Sequence, residues 1–188
     1  GRGDYKILVI VCEGETEIQY FNRYRTRGCG LKIETPNTSV TDPINLVQFA
    51  KRQINRYGLN LQKDDYIWVV FDCDHNKAEA ITKAIKIANE NNINFAISNP
   101  SFELWFLLHF IYHHSKLSNR ELIEKLKTHI PTYKKSKDVF DVLLKKREEA
   151  ISNAKKLNEF QNNNEKEIIK NPSTHVFKLV ELILEITN

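Results

Sequence analysis

Five acidic side chains that follow short apolar segments are the residues of this chain best suited to do chemistry. Glu13 and Glu17 lie in the string EGETE, directly after one apolar run. Asp72 and Asp74 lie in the string FDCD at the end of a second run, and Glu103 follows a third. Carboxylates brought within a few ångströms of one another repel, and a cation between them relieves the repulsion. Their oxygens are hard ligands of the kind that Mg²⁺ prefers.

The apolar runs predict the elements that would position these acids. Residues 5–12, 66–71 and 94–97 are rich in β-branched side chains and predict buried strands. Stretches with helical periodicity, at 15–27 and 77–89 among others, separate them. This alternation predicts an α/β fold with an open, mainly parallel sheet flanked by helices. Because functional groups gather at the carboxyl ends of parallel strands, we expect the acids at one edge of the sheet.

Three pairs of Asp or Asn with Pro predict helix starts, since the first residue can cap a helix and proline suits its first turn. Asp42-Pro43 predicts a helix that ends at Gly58, Asn99-Pro100 predicts one over 102–110, and Asn171-Pro172 predicts one over 173–186. Glu103 would then lie in a first helical turn, where it would bind metal, activate water or only complement the helix dipole. Ser98 and Asn99 end the preceding strand and could touch phosphate.

After residue 115 no further strand is predicted. Ser118 with Glu121 forms a capping-box pattern that predicts a helix over 118–127, and a longer helix is predicted over 138–160. We therefore expect an α/β core at 1–115 and a helical extension at 116–188 packed on it. The side chains of the longer helix predicted to face inward are Val139, Val142, Leu143, Ala150 and Leu157.

The net charge of +4 is unevenly distributed. Residues 1–115 carry equal numbers of basic and acidic side chains, whereas residues 116–170 have a net charge of +5. Within that stretch Lys134, Lys135 and Lys137 are clustered. A basic patch attracts the phosphate backbone of a nucleic acid, so these lysines are candidate nucleic-acid ligands. The alternative is a solvated helical face.

The acidic strings allow other interpretations. An EF-hand loop starting at Asp72 would need Gly and Glu at the positions that Lys77 and Lys83 occupy, so it is excluded. The string VVFDCD is also similar to the nucleophile motif of haloacid-dehalogenase-type phosphatases, in which Asp72 would attack phosphorus. Glu13 could instead stabilise the following helix, and Asp72 with Asp74 could form a polar turn.

Composition excludes several classes of protein. No apolar run approaches the ~20 residues of a membrane-spanning helix, so no membrane association is expected. The three cysteines contain no CxxC pair, which argues against a disulfide framework or a four-thiolate zinc site. No signal peptide is recognised. These features predict a protein of a reducing, cytoplasmic compartment.

Four ordered sequence blocks resemble known families. The strings VIVCEGETEIQYF at 9–21 and VVFDCD at 69–74 resemble the Toprim domain, with Glu13, Asp72 and Asp74 matching its acidic motif. Glu17 is similar to a second acid of OLD-family nucleases. Together with the blocks SNPSFELWFLLHF at 98–110 and NPSTHVFKLVELI at 171–183, these strings resemble the RloB-like family.

The resemblance implies a Toprim-like core and a divalent-metal-dependent nuclease, an endonuclease acting on DNA or RNA, tRNA included. It implies Mg²⁺ or Mn²⁺ at Glu13, Asp72 and Asp74, with Glu17 and Glu103 supporting a second ion or the attacking water. It also implies a role in prokaryotic phage defence, with an ATPase partner protein. The competing hypothesis is a non-catalytic module that binds nucleic acid or the ATPase.

Overall fold

The computed structural model describes residues 5–162 and 169–188 and contains a five-stranded sheet of order β2-β1-β3-β4-β5. The first four strands are parallel to their neighbours, and the last is antiparallel to β4. The predicted α/β fold with an open, mainly parallel sheet is therefore confirmed. The strands are β1 (Lys6–Cys12), β2 (Leu31–Glu34), β3 (Tyr66–Asp72), β4 (Asn94–Asn99) and β5 (Ser173–Thr174).

Eight helices are described. The sequence predicts the second of them closely: the Asp42 side chain accepts a hydrogen bond from the Asn45 N–H at 3.0 Å, and Gly58 ends the helix in a left-handed conformation. The helices are α1 (Glu15–Asn22), α2 (Pro43–Tyr57), α3 (Ala78–Glu90), α4 (Glu103–Leu107), α5 (Asn119–His129), α6 (Phe140–Leu144), α7 (Arg147–Asn162) and α8 (Val176–Thr187).

Alternation along the strands supplies two apolar faces. Val9 and Val69 point to one face and pack with α2 and α3. Ile10 and Val70 point to the opposite face and pack with α1 and with helices of the second half of the chain. Both faces of the central strands are thus buried, which explains why their sequences are continuously apolar. Among residues 5–162 and 169–188, no helix is long and apolar enough to cross a membrane.

The segment after residue 115 contributes to the sheet as well as to its helical cover. Apolar side chains of α5, α7 and α8 belong to the same buried cluster as β1 and β3. The short strand β5 pairs with β4, and the Ser98 and Thr174 hydroxyls are 2.8 Å apart. The boundary between a 1–115 core and a 116–188 extension stays a prediction.

Two of the Asx-Pro predictions were wrong. Asn99 is the last residue of β4 rather than a helix cap, and α4 begins only at Glu103. Asn171-Pro172 precedes β5, so α8 begins three residues later than predicted. Both peptide bonds before these prolines are cis. The extended pairing of β4 with β5 overrides the local helix signal at both places.

The helix predicted over 138–160 is divided into α6 and α7. Lys145 and Lys146 lie between the two helices. Val139 and Leu143 are buried as predicted, but Val142 is 49% exposed. The capping box of Ser118 and Glu121 is confirmed at the start of α5.

Candidate active site

The ends of β1, β3 and β4 meet at one edge of the sheet. The pairing register places Cys12 beside Val70 and Asp72 beside Ser98. Beyond the strands, the Glu13 N–H donates to the Val70 carbonyl at 3.2 Å. The residues that directly follow β1 and β3 are therefore neighbours in space, as the strand-end argument predicts.

Glu13 is anchored to β3 by its side chain. Its Oε2 accepts a hydrogen bond from the Asp72 backbone N–H at 3.0 Å. Burial raises the pKa of the Glu13 carboxyl, the bond from Asp72 lowers it in part, and the nearby Lys135 also lowers it. The hydrogen bond fixes one carboxylate oxygen and leaves the other available to a ligand.

Glu17 lies in the first turn of α1 and is 5% exposed. Its Oε2 approaches Gly14 so closely that a Cβ at Gly14 would lie 2.9 Å away. Burial, followed by the charges of Glu103 and Glu13, raises the pKa of Glu17 from 4.5 to about 7. A carboxyl with this pKa changes its protonation state near neutral pH. A nearby cation would stabilise its charged form.

Asp72 lies among the other acids of the site. Burial raises its pKa well above the usual value, and the charges of Glu17, Glu13 and Glu103 add to the effect. Its buried Oδ1 has no hydrogen-bond partner among the residues that the structure describes. A buried carboxylate oxygen without a donor is costly, so this atom is suited to a metal ion or to a bound water.

Glu103, at the start of α4, is 3% exposed and is held by a residue that the sequence did not single out. The Tyr133 hydroxyl donates a hydrogen bond to Glu103 Oε1 at 3.0 Å. Burial and the charge of Glu103 raise the pKa of Tyr133, so the phenol remains a donor. No sequence pattern marks Tyr133, because it lies thirty positions away in a loop.

Residues 131–137, which we name the 131–137 loop, connect α5 to α6 and return to the acids. The Ser136 N–H donates to Thr16 Oγ1 at 3.1 Å, and its hydroxyl donates to Glu15 Oε2 at 3.3 Å. These bonds fix the loop to the start of α1. Lys135 lies close enough to lower the pKa of Glu13 and of Glu17.

The three lysines predicted to bind nucleic acid differ in their surroundings. The charge of Lys135 acts on Glu17. Lys137 Nζ donates a hydrogen bond to the Thr132 carbonyl at 3.3 Å and another to the Thr132 hydroxyl. Lys134 is exposed, and its side chain has no hydrogen-bond or ion-pair partner within the described ranges. Lys134 is the lysine of this group most readily available to a phosphate.

Asp74 lies towards the rim of the site. Its carboxylate is 3.2 Å from Nε2 of the exposed His75, and its backbone N–H donates to the Pro100 carbonyl at 3.1 Å. Its charge raises the pKa of Glu13. The predicted acids therefore form one group, in which Glu17 and Glu103 are buried, Glu13 and Asp72 are half-buried, and Asp74 lies beside Glu13.

The carboxylates are not arranged as a ready set of metal ligands. Within residues 5–162 and 169–188, no group of three or more His, Cys, Asp or Glu side chains has the geometry to hold a metal ion. The chemistry of the donors nevertheless fits a divalent cation, because the group is rich in hard oxygens and Asp72 Oδ1 lacks a partner. The assignment of metal to Glu13, Asp72 and Asp74 stays a prediction.

The fold and the site together define an α/β protein with a cluster of buried and half-buried acids at the carboxyl edge of a mainly parallel sheet. A family model described as RloB-like protein matches residues 8–183. The chain belongs to the RloB-like protein family, which confirms that part of the resemblance. No curated protein and no solved structure matches the chain significantly.

Proposed function

We propose that this protein is a divalent-metal-dependent nuclease of Toprim type that hydrolyses phosphodiester bonds. The observation that carries the proposal is the group of Glu13, Glu17, Asp72 and Glu103 at the strand ends, in which loss of solvent and mutual repulsion raise the pKa of Glu13, Glu17 and Asp72. Such perturbed carboxyls cluster at functional sites. Their position at the strand ends is where ligands of parallel sheets bind.

The proposal gives each residue of the site a separate role. Glu13, Asp72 and Asp74 would hold Mg²⁺ or Mn²⁺, which polarises a phosphate and lowers the pKa of a bound water. Glu17, whose pKa is about 7, is suited to accept a proton from the attacking water. Tyr133 orients Glu103, and Lys135 offsets part of the negative charge that a phosphate would meet.

The wider setting is part of the same proposal. The substrate class is nucleic acid, DNA or RNA with tRNA included, because a phosphodiester suits both the acids and the basic 131–137 loop. We place the protein in the cytoplasm as an effector of prokaryotic phage defence that works with an ATPase partner. What supports this setting is the sequence resemblance, together with membership of the RloB-like family.

The test compares cleavage of labelled DNA and RNA by the wild type, Glu13→Ala and Asp72→Ala, with Mg²⁺ or Mn²⁺. Loss of either acid is expected to lower the cleavage rate about 100-fold or more. The matched control is Glu79→Ala, an exposed acid in the first turn of α3 on the opposite face of the sheet. Equal rates in the wild type and in both site variants would contradict the assignment of the site.

A second candidate, a non-catalytic module that binds nucleic acid or the ATPase, is favoured by one observation. The acids are not preorganised as metal ligands within the described part of the chain. This candidate predicts nucleic-acid binding without turnover under every metal condition, with and without the partner. Metal-dependent cleavage by the wild type that is lost in Asp72→Ala would exclude it.

A further inference from the structure

Another surface of the molecule carries two partly exposed ring stacks. Phe110 and His129 lie nearly parallel, with ring centroids 4.9 Å apart and planes 9° apart. Tyr112 and His114 are also stacked, at 5.6 Å and 15°. In both pairs the aromatic ring is half-buried and the imidazole is exposed. The half-buried ring therefore fixes the orientation of the exposed one.

Cations accompany both stacks. The Lys156 ammonium lies 4.3 Å from the centre of the Tyr112 ring, and the Lys146 ammonium lies 5.9 Å from the centre of the Phe110 ring. Phe160, which is 40% exposed, forms a T-shaped pair with His114 at a centroid distance of 5.1 Å. Each stack thus combines planar rings with a positive charge.

Helix α7 aligns the two stacks. Lys146 directly precedes the helix, and Lys156 and Phe160 lie on it one helical turn apart. With a rise of about 1.5 Å per residue, the two lysines are separated by about 15 Å along the helix axis. The Asn153 side chain donates to the Leu108 carbonyl at 2.8 Å and ties the chain before Phe110 to α7. We name Phe110, Tyr112, His114, His129 and Phe160, with Lys146 and Lys156, the ring surface.

We propose that the ring surface binds single-stranded nucleic acid, with unpaired bases stacking on His114 and His129 and phosphates contacting Lys146 and Lys156. Imidazole and aromatic rings offer faces to unstacked bases, and neighbouring lysines attract the backbone. Duplex bases are not available for such stacking.

The acidic side chains beside the ring surface are few. Glu149 forms an ion pair with Lys146 at 3.4 Å, and both side chains are about half exposed. An exposed pair of this kind is weak and releases its lysine to a phosphate at little cost. Glu148 and Glu159 are also exposed on α7, and their charges oppose a polyanion there.

The proposal deepens the proposed function, since it takes nucleic acid as the ligand, but it requires no cleavage. Binding is therefore measured by fluorescence anisotropy with a labelled single-stranded oligonucleotide in EDTA, for the wild type, His114→Ala and His129→Ala. Each loss of a ring is expected to weaken binding about tenfold. His129→Phe, which keeps a planar ring, should restore the affinity, and a duplex of the same sequence should show no difference between the variants.

Charge is tested separately with matched pairs of lysines. The double variant Lys146→Gln with Lys156→Gln should flatten the salt dependence of binding, because each phosphate contact contributes a slope of about 0.7 for single strands. Lys83→Gln with Lys86→Gln, two exposed lysines of α3 on the other face of the sheet, should leave the slope unchanged.

The outcomes separate this proposal from the proposed function. Ring-dependent binding by a protein that never cleaves would support the ring surface and contradict the nuclease. Cleavage with unchanged oligonucleotide binding in both alanine variants would overturn the ring surface and leave the nuclease standing. A change of oligomeric mass in the alanine variants, with unchanged oligonucleotide binding, would assign the ring surface to contacts between copies of the chain and would also overturn the proposal.

Discussion

The Tyr133 hydroxyl donates a hydrogen bond to Glu103 Oε1 at 3.0 Å and so joins the 131–137 loop to the first residue of α4. Both side chains are buried. The bond fixes the Glu103 carboxylate beside Glu17 and Asp72. The charge of Glu103 helps to raise the pKa of both of these acids. The loop between α5 and α6 is thus part of the acidic site.

Tyr133→Phe removes this donor and keeps the ring. We expect the cleavage rate constant to fall about tenfold, because Glu103 loses its fixed orientation. The free energy of unfolding should fall by about 1–3 kcal/mol, since a buried acceptor is left unpaired. Urea unfolding and single-turnover cleavage measure the two effects.

The control for that variant is Tyr24→Phe, which removes the hydroxyl that contacts the Tyr20 hydroxyl at 3.0 Å in the same apolar core. This change should lower stability by a similar amount but leave cleavage unchanged. Equal loss of activity in both phenylalanine variants would show that stability, rather than the orientation of Glu103, limits the rate.

Gly14→Ala tests the close approach of Glu17 to the backbone. Gly14 has an extended conformation that alanine also adopts, but the added Cβ would lie 2.9 Å from Glu17 Oε2. Because the end of a glutamate side chain can move, we expect a change in stability within about 1 kcal/mol. Displacement of the carboxylate should weaken Mn²⁺ binding about tenfold, as measured by calorimetry.

The contact is isolated by a double-mutant cycle. In a Glu17→Gln background, Gly14→Ala should add little further loss of Mn²⁺ affinity, because both changes act on the same carboxylate. Additive losses would mean that Gly14 acts independently of Glu17.

The pKa of Glu17, about 7, predicts a pH dependence of stability. The folded protein keeps a proton that the unfolded chain releases near pH 4.5, so the free energy of unfolding falls as pH rises from about 4.5 to 7. A single group shifted this far contributes on the order of 3 kcal/mol to that fall. In EDTA, Glu17→Gln should flatten the fall and be the more stable protein at pH 8.

Urea unfolding at pH 5 and pH 8 measures this effect, with Glu79→Gln as the control for an exposed acid. The remaining slope in Glu17→Gln is assigned to Glu13 and Asp72, whose pKa values burial also raises. A slope identical to that of the wild type would contradict the burial of an ionisable Glu17.

Substitutions of the lysines in the 131–137 loop should have different effects on nucleic-acid binding and on the pKa of Glu17. Lys134→Gln is expected to weaken nucleic-acid binding and to reduce the salt slope by about 0.7–0.9, the value of one phosphate contact. Lys135→Gln should also raise the pKa of Glu17 further, because its charge lowers that pKa in the folded protein. Salt titrations of binding and pH profiles of stability distinguish the two.

For Lys137→Gln we expect a smaller change in binding, since its ammonium already contacts Thr132. Identical effects of all three substitutions would indicate a diffuse charge effect rather than individual contacts.

Local sequence signals predicted the elements whose determinants are local. Helix α2 begins after Asp42 and ends at Gly58, as its capping residues require. The same signal failed at Asn99, because strand β4 continues there to pair with Ser173. A pairing partner more than seventy positions away leaves no mark on the residues around Asn99, so only the folded chain reveals it.

The candidate site likewise contains residues that the sequence predicts and residues that only the folded chain reveals. The proximity of Glu13 and Asp72 could be predicted from the sequence, because parallel strands end at a common edge. Their hydrogen bond confirms that they are neighbours. Tyr133 and Lys135 reach the acids through a loop, and the path of a loop is set by distant contacts such as that of Ser136 with Thr16.

The pairing of β4 with β5 has a consequence for how the protein is made. Ser98 and Thr174 are separated by 76 positions, so at about 5–20 residues per second a ribosome needs roughly 4–15 s to deliver the second after the first. During that interval β4 presents an open edge, and the apolar face that α8 later covers is bare. The strand next to Asp72 therefore acquires its final neighbour late in translation.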